Sequence, residues 1–394
     1  MRSLARPAAI WLAGFVTFLD LYAPQSILPL VRDRFGASAV EASHLISAST
    51  LAVALIAPFT GAAADMVGRK RVIAAAMFAL VVPTAMVAFS DSLAAMVFWR
   101  FVQGLLLPPV FVVTVAYIGD ELAPHEATSM AGIYMSASCF GGFFGRFASG
   151  LLAGPYGLRG AFFGIAALTL VAASGFALLL PRERRFVASA GAAHALRHML
   201  GHLLDHRLFA IFAVGFAVLF SFVAMFTYVS FYLAAPPFSL SPAALGSVFV
   251  IYLVGVITTP LAGRLIRRLG RRGLVMATSG LWIASLLLTL TGSLPLIIVG
   301  LALGAGCGFF SQTAATSYVA VSAQRARSSA VGLYVTWYYI GGSAGAIVPG
   351  FAWNAWGWPG CVAVIALVQL AAGLIVARFW RETHTPPPGS GVAA

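Results

Sequence analysis

Charge is what this sequence has least of. Only 9% of its 394 residues are Asp, Glu, Lys or Arg, against about a quarter in ordinary soluble domains, so the polar surface of a water-soluble fold is missing. Acidic residues number eleven, and lysine occurs once, as Lys70. The three cysteines, Cys139, Cys307 and Cys361, lie far apart inside apolar runs; that spacing excludes a disulfide framework and a zinc-type ligand set. The glycine-rich Gly-Lys-Ser/Thr loop of nucleotide-driven pumps is absent, which argues against ATP drive within the chain. No Ser-His-Asp or paired-carboxylate set stands out either. An enzyme, a cofactor and a metal centre are therefore not expected.

What is abundant is apolar. Hydrophobic residues make up 61% of the chain, in long runs separated by short polar turns. A helix needs about 20 such residues to cross a bilayer core, at about 1.5 Å each. A β-barrel would show short alternating segments instead. The expectation is an all-α membrane protein with about 12 transmembrane helices. The first six spans are expected near 8–30, 44–64, 72–90, 94–117, 128–152 and 161–180, and the second six near 208–234, 243–262, 274–292, 295–320, 329–352 and 360–379. This divides the chain into a six-helix bundle over 1–180, a cytoplasmic linker over 181–207, a second bundle over 208–382 and a disordered tail over 383–394. In the linker, His194, His198, His202 and His206 recur every four residues. They read as one face of a surface-lying amphipathic helix rather than a metal site.

The formal net charge of +13 reflects orientation, not a nucleic-acid partner. Nineteen of the 24 Lys and Arg residues fall in the tails and alternate loops, while the intervening loops hold Arg32, Arg34 and Arg159. That asymmetry predicts both termini in the cytoplasm of a multi-pass protein of the bacterial inner membrane. Trp353, Trp356 and Trp358 are expected to form an external interfacial belt.

The two halves repeat. Gly61-x3-Asp65-x2-Gly68-Arg69-Lys70 recurs as Gly263-x3-Arg267-x2-Gly270-Arg271-Arg272, 202 residues on. At an offset of 200, Gly132, Tyr134, Gly141, Gly142, Gly145, Gly150, Gly157 and Gly160 match Gly332, Tyr334, Gly341, Gly342, Gly345, Gly350, Gly357 and Gly360. Six spans per half give both copies the same orientation, a parallel repeat around a central site, which is a carrier's plan.

The segment Gly61 to Arg71 resembles the loop signature of the major facilitator superfamily, and its degenerate second copy is also typical of that family. Arg100-Phe-Val-Gln103-Gly104 is similar to the family's span-4 arginine motif. Asp20-Leu-Tyr22-Ala-Pro24, with Leu28-Pro29, resembles the drug:proton antiporter branch, including bicyclomycin-, chloramphenicol- and arabinose-type exporters. The span-5 motif departs from that branch, since Arg146 and Ser149 replace a proline and a glycine after Gly132-x8-Gly141-x3-Gly145. The resemblance implies the major facilitator fold. It also implies that Gly61, Asp65, Gly68 and Arg69 form a conformational latch on the cytoplasmic side, with Asp120 as the candidate partner of Arg69.

Ionisable groups inside spans are costly, roughly 2.5–3.5 kcal/mol each at a helix centre, and three are present: Asp20, Arg100 and Arg146. All lie in the first half; about 200 residues further on stand Phe220 to Phe222, Gly300 and Ala346. Counted at about 1.5 Å per residue, their depths agree well enough for one hydrated pocket to hold all three. They are the candidates for proton coupling and substrate binding, with a purely structural ion pair between spans as the other reading. Tyr22, Gln25, Gln103, Gln312, Tyr334 and Tyr338 are candidate cavity residues. Gly141, Gly142 and Gly145, with Gly341, Gly342 and Gly345, are candidate sites of close helix packing.

The functional expectation is a monomeric secondary transporter working by alternating access. It would export a small amphiphilic organic molecule in exchange for protons, with the lipid bilayer as its only other partner. A proton symporter or exchanger of an organic anion or sugar is the alternative, since two buried arginines face one aspartate. A non-transporting sensor is a remote third.

Overall fold

The computed structural model describes residues 2–181, 206–322 and 327–380, and no strand occurs among them. Helix α1 (Arg2–Tyr22) passes through a 3-10 turn (Ala23–Ser26) into α2 (Leu28–Phe35). Then come α3 (Ala39–Val67), α4 (Arg69–Phe89), α5 (Leu93–Glu121) and α6 (Pro124–Leu179). After the linker follow α7 (His206–Ala234), α8 (Pro242–Val248) and a second 3-10 turn (Phe249–Leu253). The chain finishes with α9 (Val254–Leu288), α10 (Leu294–Ser322) and α11 (Arg327–Phe379). The linker histidines 194, 198 and 202 lie outside the described residues, as do the tail, the side chain of His206 and the surroundings of Gly61 and Asp65.

Local chemistry explains the boundaries. Ser38 and Glu41 close a reciprocal capping box at the start of α3, satisfying amides that the first helical turn leaves free. Gly68, at φ 102°, allows the sharp turn into α4, a conformation that a Cβ would penalise.

Among the described residues, nine helical segments are long and apolar enough to cross a membrane. Three of them run to 55, 47 and 49 residues, far beyond the roughly 20 that one crossing needs. Each of these three is broken at one glycine with positive φ: Gly157 (65°), Gly270 (70°) and Gly357 (63°). The breaks fall between the expected spans 5 and 6, 8 and 9, and 11 and 12. Only the one non-helical glycine separates the helices at each break, which is why nine continuous segments stand where twelve were expected.

The packing of α6 on α1 matches that of α11 on α7. A Cβ on Gly141 would lie 2.2 Å from the Phe15 carbonyl oxygen, and one on Gly341 would lie 2.2 Å from that of Phe216. The next turn does the same, with 2.4 Å from Gly145 to Leu19 and 2.3 Å from Gly345 to Phe220. These are main-chain contacts that no side-chain movement relieves, so glycine is required. Gly142 differs: its added carbon would be 3.5 Å from Arg146, an ordinary contact, while that of Gly342 would meet side chains, Leu219 at 2.7 Å and Thr50 at 3.4 Å, rather than main chain.

Helix α3 runs beside α11. Ser43 donates to the Ala346 carbonyl at 2.7 Å, Ser343 to Ser47 at 3.2 Å and Thr336 to Ala54 at 3.3 Å. Helix α6 meets α8 closely, with a Gly150 Cβ 2.2 Å from the Pro242 oxygen and a Gly246 Cβ 2.8 Å from that of Arg146. At the other end of the same helix Gly132 is exposed and has nothing within 4 Å of its added carbon. The expected tryptophan belt is corrected in part. Trp356 is exposed, but Trp358 is buried, stacked on Tyr232 and donating to Thr289 at 3.0 Å.

Candidate functional site

The three charged residues of the spans are all buried, Asp20 at 1% exposure and Arg100 and Arg146 at 0%. They form two clusters, not the single pocket expected. Asp20 lies one turn before the end of α1. Its Oδ1 accepts from Thr84 of α4 at 2.8 Å, and its Oδ2 from Thr169 of α6 at 2.7 Å. Gln103 Nε2 lies 3.4 Å from Oδ1 and donates to Thr84 at 2.6 Å. The carboxylate is therefore held by neutral hydroxyls and an amide. Hydroxyls both donate and accept, so this shell can face an ionised carboxylate or a protonated acid.

Arg100 does not pair with that carboxylate; it binds main chain. Its Nη1 donates to the Asp20 carbonyl at 2.8 Å, Nη2 to Leu21 at 2.6 Å and Nε to Leu45 at 2.9 Å, with Gln103 Oε1 at 2.7 Å from Nη1. The reason is local. Pro24 has no N–H for the carbonyl four residues before it, which is that of Asp20, and the 3-10 turn tightens the chain just beyond. In a membrane such freed carbonyls must find donors inside the protein. Arg100 supplies them and sets a positive group at the helix C-terminus, where the dipole favours it. The side chain ties α1, α3 and α5 together, through carbonyls rather than an ion pair.

Arg146 sits on α6 where the two sets of helices meet. Its Nε and Nη2 both donate to Gln25 Oε1, at 2.8 and 2.5 Å. Nη1 reaches the Gly142 carbonyl at 2.5 Å, and Nη2 the Tyr252 hydroxyl at 3.2 Å. Three rings surround the guanidinium carbon, Tyr252 at 4.2 Å, Tyr22 at 4.4 Å and Phe249 at 4.7 Å, well within cation–π range. Each of these partners is neutral, and among the described residues no carboxylate pairs with it. Gln25 also crosses the boundary between the helix sets, its Nε2 donating to Thr227 of α7 at 2.8 Å. Ser26 and Ser149 fasten the 3-10 turn to α6, with Ser26 donating to the Arg146 carbonyl at 2.7 Å.

Tyr338 is in ring contact with Tyr334 and Tyr339 and lies within electrostatic range of Tyr22 and Tyr252 beside Arg146. Tyr334 stacks on it at 6.0 Å and packs over Gly215. Gln312 is half-buried on α10, and its described contact is its carbonyl accepting from Thr316. Arg69 donates to the Asp120 carboxylate and, at 3.0 Å, to the Ala116 carbonyl, while Lys70 donates to that of Leu180. Arg271 and Arg272 do the equivalent on α10 and α11, reaching Ser317 at 3.1 Å and the Ala377 carbonyl at 2.6 Å. These contacts stay within one helix set, with cations seated near helix C-termini.

Several site residues were missed from sequence. Thr84 and Thr169 carry no signal, since hydroxyls abound in spans. Phe249 and Tyr252 are hidden among 30 Phe and 11 Tyr. One signal was available: the α1–α7 register is 201, from the paired contacts of Phe15 with Phe216 and Leu19 with Phe220, so the counterpart of Asp20 is Ser221. Ser221 accepts from Gln369 at 2.9 Å, the position 200 residues after Thr169.

Known proteins match along almost the whole chain. The family profile described as Major Facilitator Superfamily covers residues 10–236 and 226–393. The inner membrane transport protein YnfM of Escherichia coli is 32% identical over 377 residues, which is 95% of this chain and 90% of that one. The MFS-type transporter YybF of Bacillus subtilis is 31% identical over 379 residues, 96% and 94% of the two chains. Among solved structures, the nucleoside transporter NupG superposes with TM-score 0.79 at 15% identity, covering 95% of this chain and 100% of that one. The human organic anion transporter MFSD10 does so with TM-score 0.71 at 20% identity, covering 94% and 99%; both likenesses concern the fold. The chain is a multi-pass membrane transporter and belongs to the major facilitator superfamily.

Proposed function

We propose that the protein is a proton-coupled secondary transporter of small amphiphilic organic compounds, exporting them in exchange for protons by alternating access. The observation that carries this reading is Asp20. It is a buried carboxylate whose hydrogen-bond donors are all neutral, in a shell that accommodates the acid and its anion alike. Arg100 lies within electrostatic range but spends its hydrogen bonds on main chain and Gln103, so no ion pair has to break when the group takes up a proton. The 3-10 turn that follows it carries Tyr22 and Gln25 to the boundary between the helix sets, so a change at Asp20 has a short path to that boundary.

On this reading the breaks at Gly157, Gly270 and Gly357 separate pairs of spans, and the chain crosses the membrane twelve times in two parallel halves, 1–180 and 208–382. The matched glycine contacts, the matched cation contacts of Arg69 and Arg271, and the double match of the family profile support it. The halves meet closely where α6 meets α8 and along α3 and α11. Arg69 and Asp120 steady one end of the first half as part of a latch. The positive-inside asymmetry puts the termini in the cytoplasm of an inner membrane, and one chain contains a complete pathway.

The test is reconstitution into vesicles with an imposed pH gradient and a panel of amphiphilic compounds. Proton movement opposite to that of the compound supports the proposal. Movement in one direction would assign a symporter, and binding without flux would assign a sensor.

A further inference from the structure

The Asp20 cluster accounts for one buried charge and the helix-capping role of Arg100 for a second. Arg146 is left over. It stands at the seam of the two helix sets, and its fork, the Nε and Nη2 hydrogens, converges on a single oxygen, Gln25 Oε1, at 2.8 and 2.5 Å. A carboxylate would offer those two hydrogens one oxygen each, the bidentate pairing that a guanidinium favours. Here a neutral amide oxygen occupies the position. Around it the rings of Tyr22, Phe249 and Tyr252 make an apolar wall within 4.7 Å of the guanidinium carbon, and Phe226 extends the wall, 4.9 Å from Tyr252.

We infer that the transported molecule is an amphiphilic carboxylate, whose carboxyl group displaces Gln25 Oε1 from the Arg146 fork while its apolar part lies against the Tyr22, Phe249 and Tyr252 rings. The inference rests on the proton-coupled carrier reading and adds a substrate class to it. The chemistry favours an anion over a cation or a neutral compound. A fully buried positive charge answered only by neutral acceptors and ring faces repels a second cation. It also gains more from a carboxylate than from an amide, since ionised acceptors make hydrogen bonds roughly twice as strong as neutral ones.

The displacement has a mechanical consequence. Gln25 bridges the helix sets, accepting from Arg146 on α6 and donating to Thr227 on α7. A carboxylate on the fork frees the Gln25 amide, and the described side-chain link through Thr227 loses its anchor on the α6 side. Substrate arrival thus loosens the seam at the point where the helix sets must move apart.

The test uses the purified full-length protein in detergent and equilibrium titration with three probes of similar size, phenylacetate, phenylacetamide and phenethylammonium. Phenylacetate is expected to bind at least about tenfold more tightly than the other two, a difference of about 1.4 kcal/mol. Arg146→Gln should abolish that preference. Gln25→Glu places a permanent carboxylate on the fork, so phenylacetate binding should fall at least about tenfold while the melting temperature stays at or above that of the parent. Should Arg146→Gln fail to fold, Gln25→Glu and Arg146→Lys carry the test, the lysine keeping the charge and losing the fork. Equal binding of the three probes, no binding of phenylacetate, or a carboxylate preference that survives Arg146→Gln or Gln25→Glu would overturn the assignment. Because binding is read without a pH gradient, these outcomes leave proton coupling untouched. Conversely, a carrier that binds carboxylates but moves no protons would sink the coupling and leave the anion site standing.

Discussion

Replacing Arg100 by methionine, alone and together with Pro24→Ala, tests whether this arginine is a backbone cap. The guanidinium satisfies three main-chain carbonyls, those of Asp20, Leu21 and Leu45. Leaving a buried carbonyl without a donor costs about 1–3 kcal/mol; Leu45 keeps a bond from Ser49, so the low end of that range for the Asp20 and Leu21 carbonyls predicts a loss of about 2 kcal/mol for Arg100→Met. Removing a buried cation also relieves a desolvation penalty, but that relief is common to both backgrounds and cancels when they are compared. Pro24→Ala restores the N–H four residues after Asp20. Beside Arg100 the Asp20 carbonyl already has a donor, so the alanine should change little there. In the methionine background it should recover about 1 kcal/mol. Apparent melting temperatures of the four proteins in detergent read this out. At roughly 2 °C per kcal/mol, the lost caps alone should lower the melting temperature of Arg100→Met by about 4 °C, and the added Pro24→Ala should regain about 2 °C. An equal effect of Pro24→Ala in both backgrounds would refute the capping argument.

Three further expectations concern the scaffold. Gly145→Ala and Gly345→Ala each drive a Cβ to within 2.4 Å of a carbonyl oxygen, and should lower the melting temperature by an amount corresponding to about 1–3 kcal/mol of overpacking. Gly132→Ala, with nothing within 4 Å, should leave it unchanged, and a large effect there would contradict the packing account. Asp120 is 62% exposed, so Asp120→Asn should cost less than about 1 kcal/mol. Arg69→Ala should cost more, because it also removes the bond to the Ala116 carbonyl; a melting series of the two variants decides the order.

Much of the architecture was legible because it follows from one-dimensional rules. Apolar runs mark spans, and the glycines at 157, 270 and 357 stand where the expected spans 5 and 6, 8 and 9, and 11 and 12 meet. The Arg69–Asp120 contact was approachable by another route, since the resemblance of the Gly61 to Arg71 loop to the family's signature implied it. The interior of the site was not legible. Asp20, Arg100 and Arg146 stand out as charges in apolar runs, but their partners are set by helix rotation, which hydropathy does not encode. Depth along the membrane agreed for all three, yet α1 turns Asp20 into its own bundle while α6 turns Arg146 to the seam. Pro24 was visible throughout, and a count of the carbonyls it frees would have pointed to a donor such as Arg100. The one-residue slip between an offset of 200 in span 5 and 201 in span 1 hid Ser221 behind the phenylalanines around it.

The central claim is that Asp20 carries the coupling proton. Its most direct test compares wild type with Asp20→Asn in the same vesicles, measuring gradient-driven accumulation of a transported compound and its exchange across the membrane with no gradient imposed. The account predicts that Asp20→Asn retains exchange, because the amide fits the neutral shell of Thr84, Thr169 and Gln103, and loses accumulation driven by the pH gradient. Undiminished gradient-driven accumulation by Asp20→Asn would contradict it.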